Sequence, residues 1–509
     1  MHLVRSPLGA SALPPAVLCA VLQGVHGKFE AILTALALAT KVSVGNRLEA
    51  GWRQAARFHP SIRPNTLPRR LPSIFDPIPR LSPQDRINMA SSEVISVPYI
   101  DIQHDALAVL DDVEQGTVMR EDIWISGYKA GSSSVHGKAR VEMQEGGGAS
   151  LTPRDGINVE RTSKTNFLVT VPALQVERLP VRFPRQVIHP PYQKKTSLTP
   201  ALQINSLAYS PTKHKLVVGG PDGYCALLPS GQEARVQEET VLLKGHVGDV
   251  LDVKFFPSGE VILTASSDLS IRIFGLDGAN PRTLKGHRRA ITCTAILGVG
   301  KQILSGSKDG TVRLWDVGGA KELRAWSTEG RAPVEALVLL DGPAAVAELG
   351  FGIEDEWAVL AFTQAGNAEV FHPTRKAESA PGRMALGVAG QLLTVAYDPE
   401  SKILATGHSP GVVSLRLLSG LKDGGTSPPT LIRRNESPVY SLAWAEGDLL
   451  MGTAAGLPCR LGVRENEEGK MEVTVKEELA GWDAVGVDGF AVSPEGVWCG
   501  GGDGAVRRY

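Results

Sequence analysis

Two histidine–aspartate pairs, His246 with Asp268 and His287 with Asp309, recur at one spacing in a chain of 509 residues. An imidazole held by a carboxylate is the orienting half of a proton-transfer site, so each pair could serve a general base. Gly407-His408-Ser409-Pro410-Gly411 adds the G-x-S-x-G pattern of a hydrolase nucleophile, which needs a strand, a sharp turn and then a helix. Here the next residues, Val412-Val413-Ser414-Leu415-Arg416-Leu417, read as a strand, so the pattern reads as a turn between strands. No His, Asp or Glu cluster has metal-ligand spacing. The five cysteines (Cys19, Cys225, Cys293, Cys459, Cys499) lie far apart without a CxxC pair. That spacing excludes a zinc knuckle, a redox motif and a disulfide framework, and favours a reducing compartment. Neither a catalytic residue nor a cofactor or metal site is expected.

What positions the histidines is a repeat. Lys244-Gly245-His246-Val247-Gly248-Asp249-Val250 returns 41 residues later as Lys285-Gly286-His287-Arg288-Arg289-Ala290-Ile291. Each is followed by a strand–turn–strand signal, one ending in Ile273-Phe274, the other in Leu314-Trp315-Asp316. Period and motif resemble the WD40 repeat. That resemblance implies a structural role for His246, Asp268, His287, Asp309 and Trp315, as a buried hydrogen-bond network tying each loop to its blade. Such a network must be satisfied, because an orphaned buried partner costs roughly 1–3 kcal/mol. Trp315 completes the network in its repeat; Phe274 stands in its place in the other and cannot donate.

Weaker copies follow at residues 204–228, 334–371, 392–417, 439–463 and 485–509, which with the two clear ones makes seven, at about 44 residues each. The expected fold is all-β: a seven-bladed WD40 propeller over 186–509, preceded by a small β-rich domain over 89–185. Glycine, 55 of 509 residues, is in excess because every blade needs several tight turns. The last blade has three strands of its own, so its outer strand is expected from residues 186–196, since an unpaired edge would expose backbone donors and acceptors. Residues 131–163, rich in Ser and Gly, read as a loose hairpin connection, and no convincing amphipathic helix follows residue 110.

The net charge of −1 conceals an asymmetry. Residues 1–88 carry 11 Lys/Arg against 4 Asp/Glu, while the rest carries 42 against 50, a net of −8. The basic, proline-dotted first segment has the composition of a mitochondrial transit peptide. The favoured reading is instead a disordered extension, or upstream sequence wrongly joined to the frame, with Met89 a plausible start. The apolar stretch Leu13–Ala39 is broken by Gln23, His26, Lys28 and Glu30, so no membrane helix is expected. An acidic body argues against a phosphate-tracking surface, and so against a nucleic-acid partner. Clusters at Glu354-Asp355-Glu356, Glu465 with Glu467-Glu468, and Glu477-Glu478 read as solvated loops that favour a basic protein partner.

The Gly245–Val250 motif, Phe255-Phe256-Pro257-Ser258-Gly259, the segment Asp122-Ile123-Trp124-Ile125-Ser126-Gly127-Tyr128 and the final Asp503-Gly504-Ala505-Val506-Arg507-Arg508-Tyr509 resemble the proteasomal ATPase-associated factor family. The resemblance implies a non-catalytic, monomeric chaperone of regulatory-particle assembly. Its partner would be the C-terminal domain of one AAA+ ATPase subunit of the proteasome base, in the cytoplasm and the nucleus. Contacts are expected where the loops leading into the blades gather, with Asp249, Glu335, Glu436 and Asp483 as the acidic residues. Asp249 and Asp483 are expected one or two positions before the first strands of their blades, at Val250 and Val485. Two other readings stay open: a WD40 adaptor such as a ubiquitin-ligase substrate receptor, and a propeller enzyme. The first usually carries Trp-Asp-x-Arg, whereas this chain has Trp315-Asp316-Val317-Gly318.

Overall fold

Short alternating runs bounded by glycine and proline can bury one side chain in two against a neighbouring sheet, and that is how they fold. The computed structural model describes residues 94–144, 147–192, 201–349, 355–374, 383–421, 428–466 and 470–509. The 1–88 segment, residues 193–196 of the expected closing strand, and Glu354, Glu467 and Glu468 lie outside the described residues. The described part is an all-β WD40 propeller of seven blades with a small β-rich N-terminal part. The blades begin at inner strands Ser206–Tyr209, Val250–Phe255, Ile291–Leu297, Val334–Asp341, Leu392–Asp398, Val439–Ala445 and Val487–Ser493. Each inner strand packs against the next, and the seventh returns to the first, which closes the ring.

Polar stitches join neighbouring blades at these inner strands. Thr294 donates its amide and its hydroxyl to Asp252, each at 2.7 Å, and Thr292 and Ser441 donate their hydroxyls to the carbonyls of Val334 and Val487. Between the blades lie apolar seams, such as Cys293, Leu304, Val312 and Trp326 packed with Val359 and Phe371.

Among the described residues, nine strands and one α-helix precede the first blade: β1 (Val94–Ser96), β2 (Tyr99–Ile102), α1 (Ala106–Glu114), β3 (Arg120–Tyr128), β4 (Val135–Met143), β5 (Ala149–Arg154), β6 (Asn158–Arg161), β7 (Asn166–Val171), β8 (Val176–Arg182) and β9 (Gln186–Ile188). Strand β9 pairs antiparallel with Val506–Arg508 as the outer strand of blade 7, Ile188 opposite Val506. Closure therefore uses the first three residues of the expected segment.

Two expectations are corrected here. Residues 131–163 are not a loose connection: β4, β5 and β6 occupy most of them, with Gly137, Ala139 and Val141 turned inward. Gly137 and Ala139, two successive inward positions of β4, are small, which hid the alternation. Helix α1 was also missed; it buries Ala106, Val109, Leu110 and Val113 against the sheet β2–β5.

The N-terminal strands are built into the propeller rather than strung beside it. β1 runs parallel to the outer strand of blade 5, Thr430–Arg433, and β8 runs parallel to the outer strand of blade 6, Met471–Leu479. Two outer edges that would otherwise expose unpaired backbone are thereby covered.

Candidate functional site

In every blade the first residues of the inner strand pair with the last residues of the second strand, as Val250 does with Ser266 and Ile291 with Ser307. The turns between second and third strands and the loops leading into the inner strands therefore gather on one face. In six blades the register shifts after the first inner-strand residue, a β-bulge that sets Leu251, Thr292, Glu335, Leu393, Tyr440 and Asp488 at equivalent positions on the rim of this face.

The histidine–aspartate pairs hold this face in shape. His287 Nδ1 lies 3.0 Å from Asp309 Oδ2 and its Nε2 lies 2.7 Å from Ser305 Oγ. A carboxylate only accepts, so Nδ1 carries the proton and Nε2 accepts from Ser305, whose oxygen in turn accepts from Trp315 Nε1 at 2.8 Å. One chain of donors runs from the tryptophan through serine and histidine to the aspartate. Asp309 also accepts the Arg288 amide and the Thr311 hydroxyl. In blade 2 the same geometry joins His246 to Asp268 at 2.9 Å and to Thr264 at 2.8 Å. With Phe274 in place of tryptophan, Thr264 has a second acceptor instead of a donor, the Arg272 carbonyl at 3.3 Å.

Burial opposes ionisation of Asp268 and Asp309, yet the hydrogen bonds from His246 with Ser270 and from His287 with Thr311 outweigh it. Both carboxyls sit well below the usual carboxylate range. Both histidine side chains are fully buried within their blades, where no substrate atom reaches them.

The hydrolase-like pattern is a hairpin turn. Strand Ile403–His408 leads through Ser409-Pro410 and left-handed Gly411 into strand Val412–Leu417. The Ser409 hydroxyl accepts the Gln391 amide at 3.0 Å. The strand-to-helix elbow required for an oxyanion hole is not there.

Of the four expected contact residues, three are exposed on the loop face. Asp249 immediately precedes its inner strand and accepts the Asp222 amide at 3.0 Å, bridging blades 1 and 2. Glu436 precedes blade 6 by three residues and is exposed. Asp483 lies four residues before its strand, which starts at Val487 and not at Val485; His104 approaches it at 3.7 Å. Glu335 differs from these: it is the half-buried bulge residue of blade 4, one carboxylate oxygen has no hydrogen-bond partner, and burial raises its pKa against the pull of Lys308.

Acidic composition was a poor guide to acidic surface. Asp355 is buried against His372 and Thr374, Glu477 against Arg182, and Glu478 against Arg434, so these cluster members are not solvated loops. The sequence reading also missed a basic group on the same face. Arg288, Arg289, Lys308 and Arg331, all exposed, surround the turn Ser307–Gly310. Adjacent Arg288-Arg289 was the available signal.

Ring closure, loop face and repeated donor network together define a WD40-repeat β-propeller, and residues 237–275 and 278–316 match the family described as WD domain, G-beta repeat. One stretch of the chain is 40% identical over 84 residues to 26S proteasome regulatory subunit RPN14 of Saccharomyces cerevisiae. The match covers 16% of this chain and 19% of that protein, so the chain spans about a fifth of the relative's length. Over that stretch the chain is similar to a proteasome regulatory subunit.

Proposed function

We propose that this protein is a non-catalytic scaffold that binds the C-terminal domain of an AAA+ ATPase subunit of the proteasome base, and so assists or regulates regulatory-particle assembly. The observation that carries the reading is the 40% identity over 84 residues to RPN14, named as a 26S proteasome regulatory subunit. Asp249, Glu436 and Asp483, exposed around blades 2, 6 and 7, supply the charge that a basic domain would meet. Glu335 contributes from the rim. Rim charges of this kind act mainly on association rate and are screened by salt. The reading places the protein, acting as a monomer, in the cytoplasm and nucleus, with no cofactor.

The test is a pull-down of the full chain against purified C-terminal domains of each base ATPase subunit, at low and at raised salt. Capture of one domain, weakened by salt, supports the proposal. Capture of none overturns it, and co-purification with a ligase scaffold instead would make the protein an adaptor.

A further inference from the structure

We infer that the blade 3 sector of the loop face is a second docking surface, which takes an acidic segment of protein carrying apolar side chains. This goes beyond the ATPase reading and does not depend on it.

Four cations converge there. The Arg288 amide donates to Asp309, the Arg289 carbonyl accepts the Ser307 hydroxyl, the Lys308 amide donates to the Ala290 carbonyl, and a Cβ added at Gly310 would meet the Arg331 backbone at 2.5 Å. The backbones of all four are thus fixed around one turn while their side chains stand in solvent. None of the four forms an ion pair among the described residues, although Arg313 and Arg383 of blades 3 and 4 do.

An independent observation marks the border of this patch. Six blades place glycine in the left-handed region at the end of the turn between second and third strands: Gly223, Gly310, Gly366, Gly411, Gly456 and Gly504. Blade 2 places Leu269 there, at φ 69°. A leucine is strained in that region, and this one is also left exposed. At Gly223, Gly310 and Gly411 this position abuts the loop leading to the next blade, so Leu269 borders the loop that carries Arg288 and Arg289. Val247, 79% exposed, donates its amide to Asp268 of the same turn. Two exposed apolar side chains thus flank four cations that form no ion pair among the described residues.

That combination selects the ligand. Carboxylates pair with the guanidinium groups in bidentate fashion, and apolar side chains interleaved with them cover Val247 and Leu269. A nucleic-acid strand fits less well: the patch is small, Asp249 and Glu335 border it, and no exposed aromatic ring offers a stacking platform within it.

The test uses the full chain and a fluorescein-labelled dodecapeptide of repeated Glu-Asp-Leu, read by anisotropy, with a single-stranded RNA of equal charge as competitor. Binding should weaken as salt rises from about 50 to about 300 mM. Arg288→Glu with Arg331→Glu should weaken it about tenfold or more, and Lys308→Glu should weaken it separately. Leu269→Gly should weaken peptide binding while raising the Tm, a pair of effects that a purely structural leucine would not give. Undiminished binding by both charge-reversed forms would overturn the inference, as would RNA binding tighter than the peptide.

Discussion

The Arg434 guanidinium grips both carboxylate oxygens of Glu478, at 2.7 and 2.6 Å, with both side chains buried. The same carboxylate accepts the Ile100 amide of β2 at 3.2 Å, and Arg434 faces the Tyr99 ring. One ion pair thus joins the loop leading into blade 6, the outer strand of that blade, and the first sheet of the chain. Burial pushes the Glu478 carboxyl up, to about 7, against the pull of Arg434. Removing one member leaves the other charge buried and unpaired, which costs about 3–5 kcal/mol, whereas replacing both by apolar residues is often close to neutral. Glu478→Met and Arg434→Met should each lower the Tm sharply and open β1–β2 to trypsin. The double variant Arg434→Met with Glu478→Met should recover most of the loss. Additive losses in that cycle would show that the pair is not the joint described here.

The donor chain of blade 3 predicts its own ranking. Trp315→Phe recreates the blade 2 arrangement and removes one hydrogen bond to Ser305, so it should cost about 1 kcal/mol for the bond, with a further packing loss for the smaller ring. Asp309→Ala strips acceptors from His287, the Arg288 amide and Thr311 at once, and should cost several times more. Urea denaturation of both variants checks the order; equal losses would contradict a chain that ends on the aspartate.

Acid should act on the same groups. The folded-state pKa values of Asp268 and Asp309 lie below the unfolded value of about 3.9. The stabilisation they contribute is therefore complete above about pH 4 and is lost as pH falls towards the folded-state values. Asp309→Asn should lower stability at neutral pH and flatten the decline below pH 4. An acid limb as steep as that of the unaltered protein would place the acid-sensitive carboxylates elsewhere.

The blades were legible because Gly-His and the turn aspartate recur at a fixed period, and because burial of the network leaves little freedom in those residue types. The N-terminal attachment was not legible. Parallel pairing of β1 with Thr430–Arg433 and of β8 with Met471–Leu479 is set by distant edges, and no local pattern in Val94–Ser96 or Val176–Arg182 encodes it. Glu477 and Glu478 misled for a related reason: a pair of carboxylates looks solvated until the fold brings Arg182 and Arg434 to it. Charge totals count residues, whereas a partner meets only the exposed ones.

Closure of the ring rests on a three-residue strand, and Ile188 is its inward anchor. It is buried with Ile204, Leu207, Trp498 and Val506 between the last blade and the first. Ile188→Asp would put an unpaired carboxylate into that seam, which costs several kcal/mol unless the strand leaves. Losing β9 would unpair Val506–Arg508 along a whole edge. The variant should show a lower Tm and faster cleavage near residue 189 by limited proteolysis, with increased self-association. Val187, exposed on the same strand, supplies the control: Val187→Asp should change little. Equal behaviour of the two variants would mean that pairing alone, without the buried anchor, keeps the ring shut.

The acidic residues of the loop face yield the most direct functional forecast. Asp249, Glu436 and Asp483 are exposed, and each stands on a loop whose backbone is held by neighbouring turns, so reversing their charge should leave the fold intact. Asp483→Lys gives up only a 3.7 Å contact with His104, and Asp249→Lys loses one amide hydrogen bond from Asp222. Against a basic ATPase C-terminal domain, the triple reversal should slow association about tenfold or more at low salt, while dissociation changes less. Raising the ionic strength should shrink the difference between variant and parent, because charges on an exposed rim are screened over about 10 Å at 0.1 M. Glu335→Gln should have a smaller effect than any of the three, since its carboxylate is half-buried. Surface plasmon resonance over a salt series separates the two rates; an unchanged association rate in the triple variant would remove these residues from the interface.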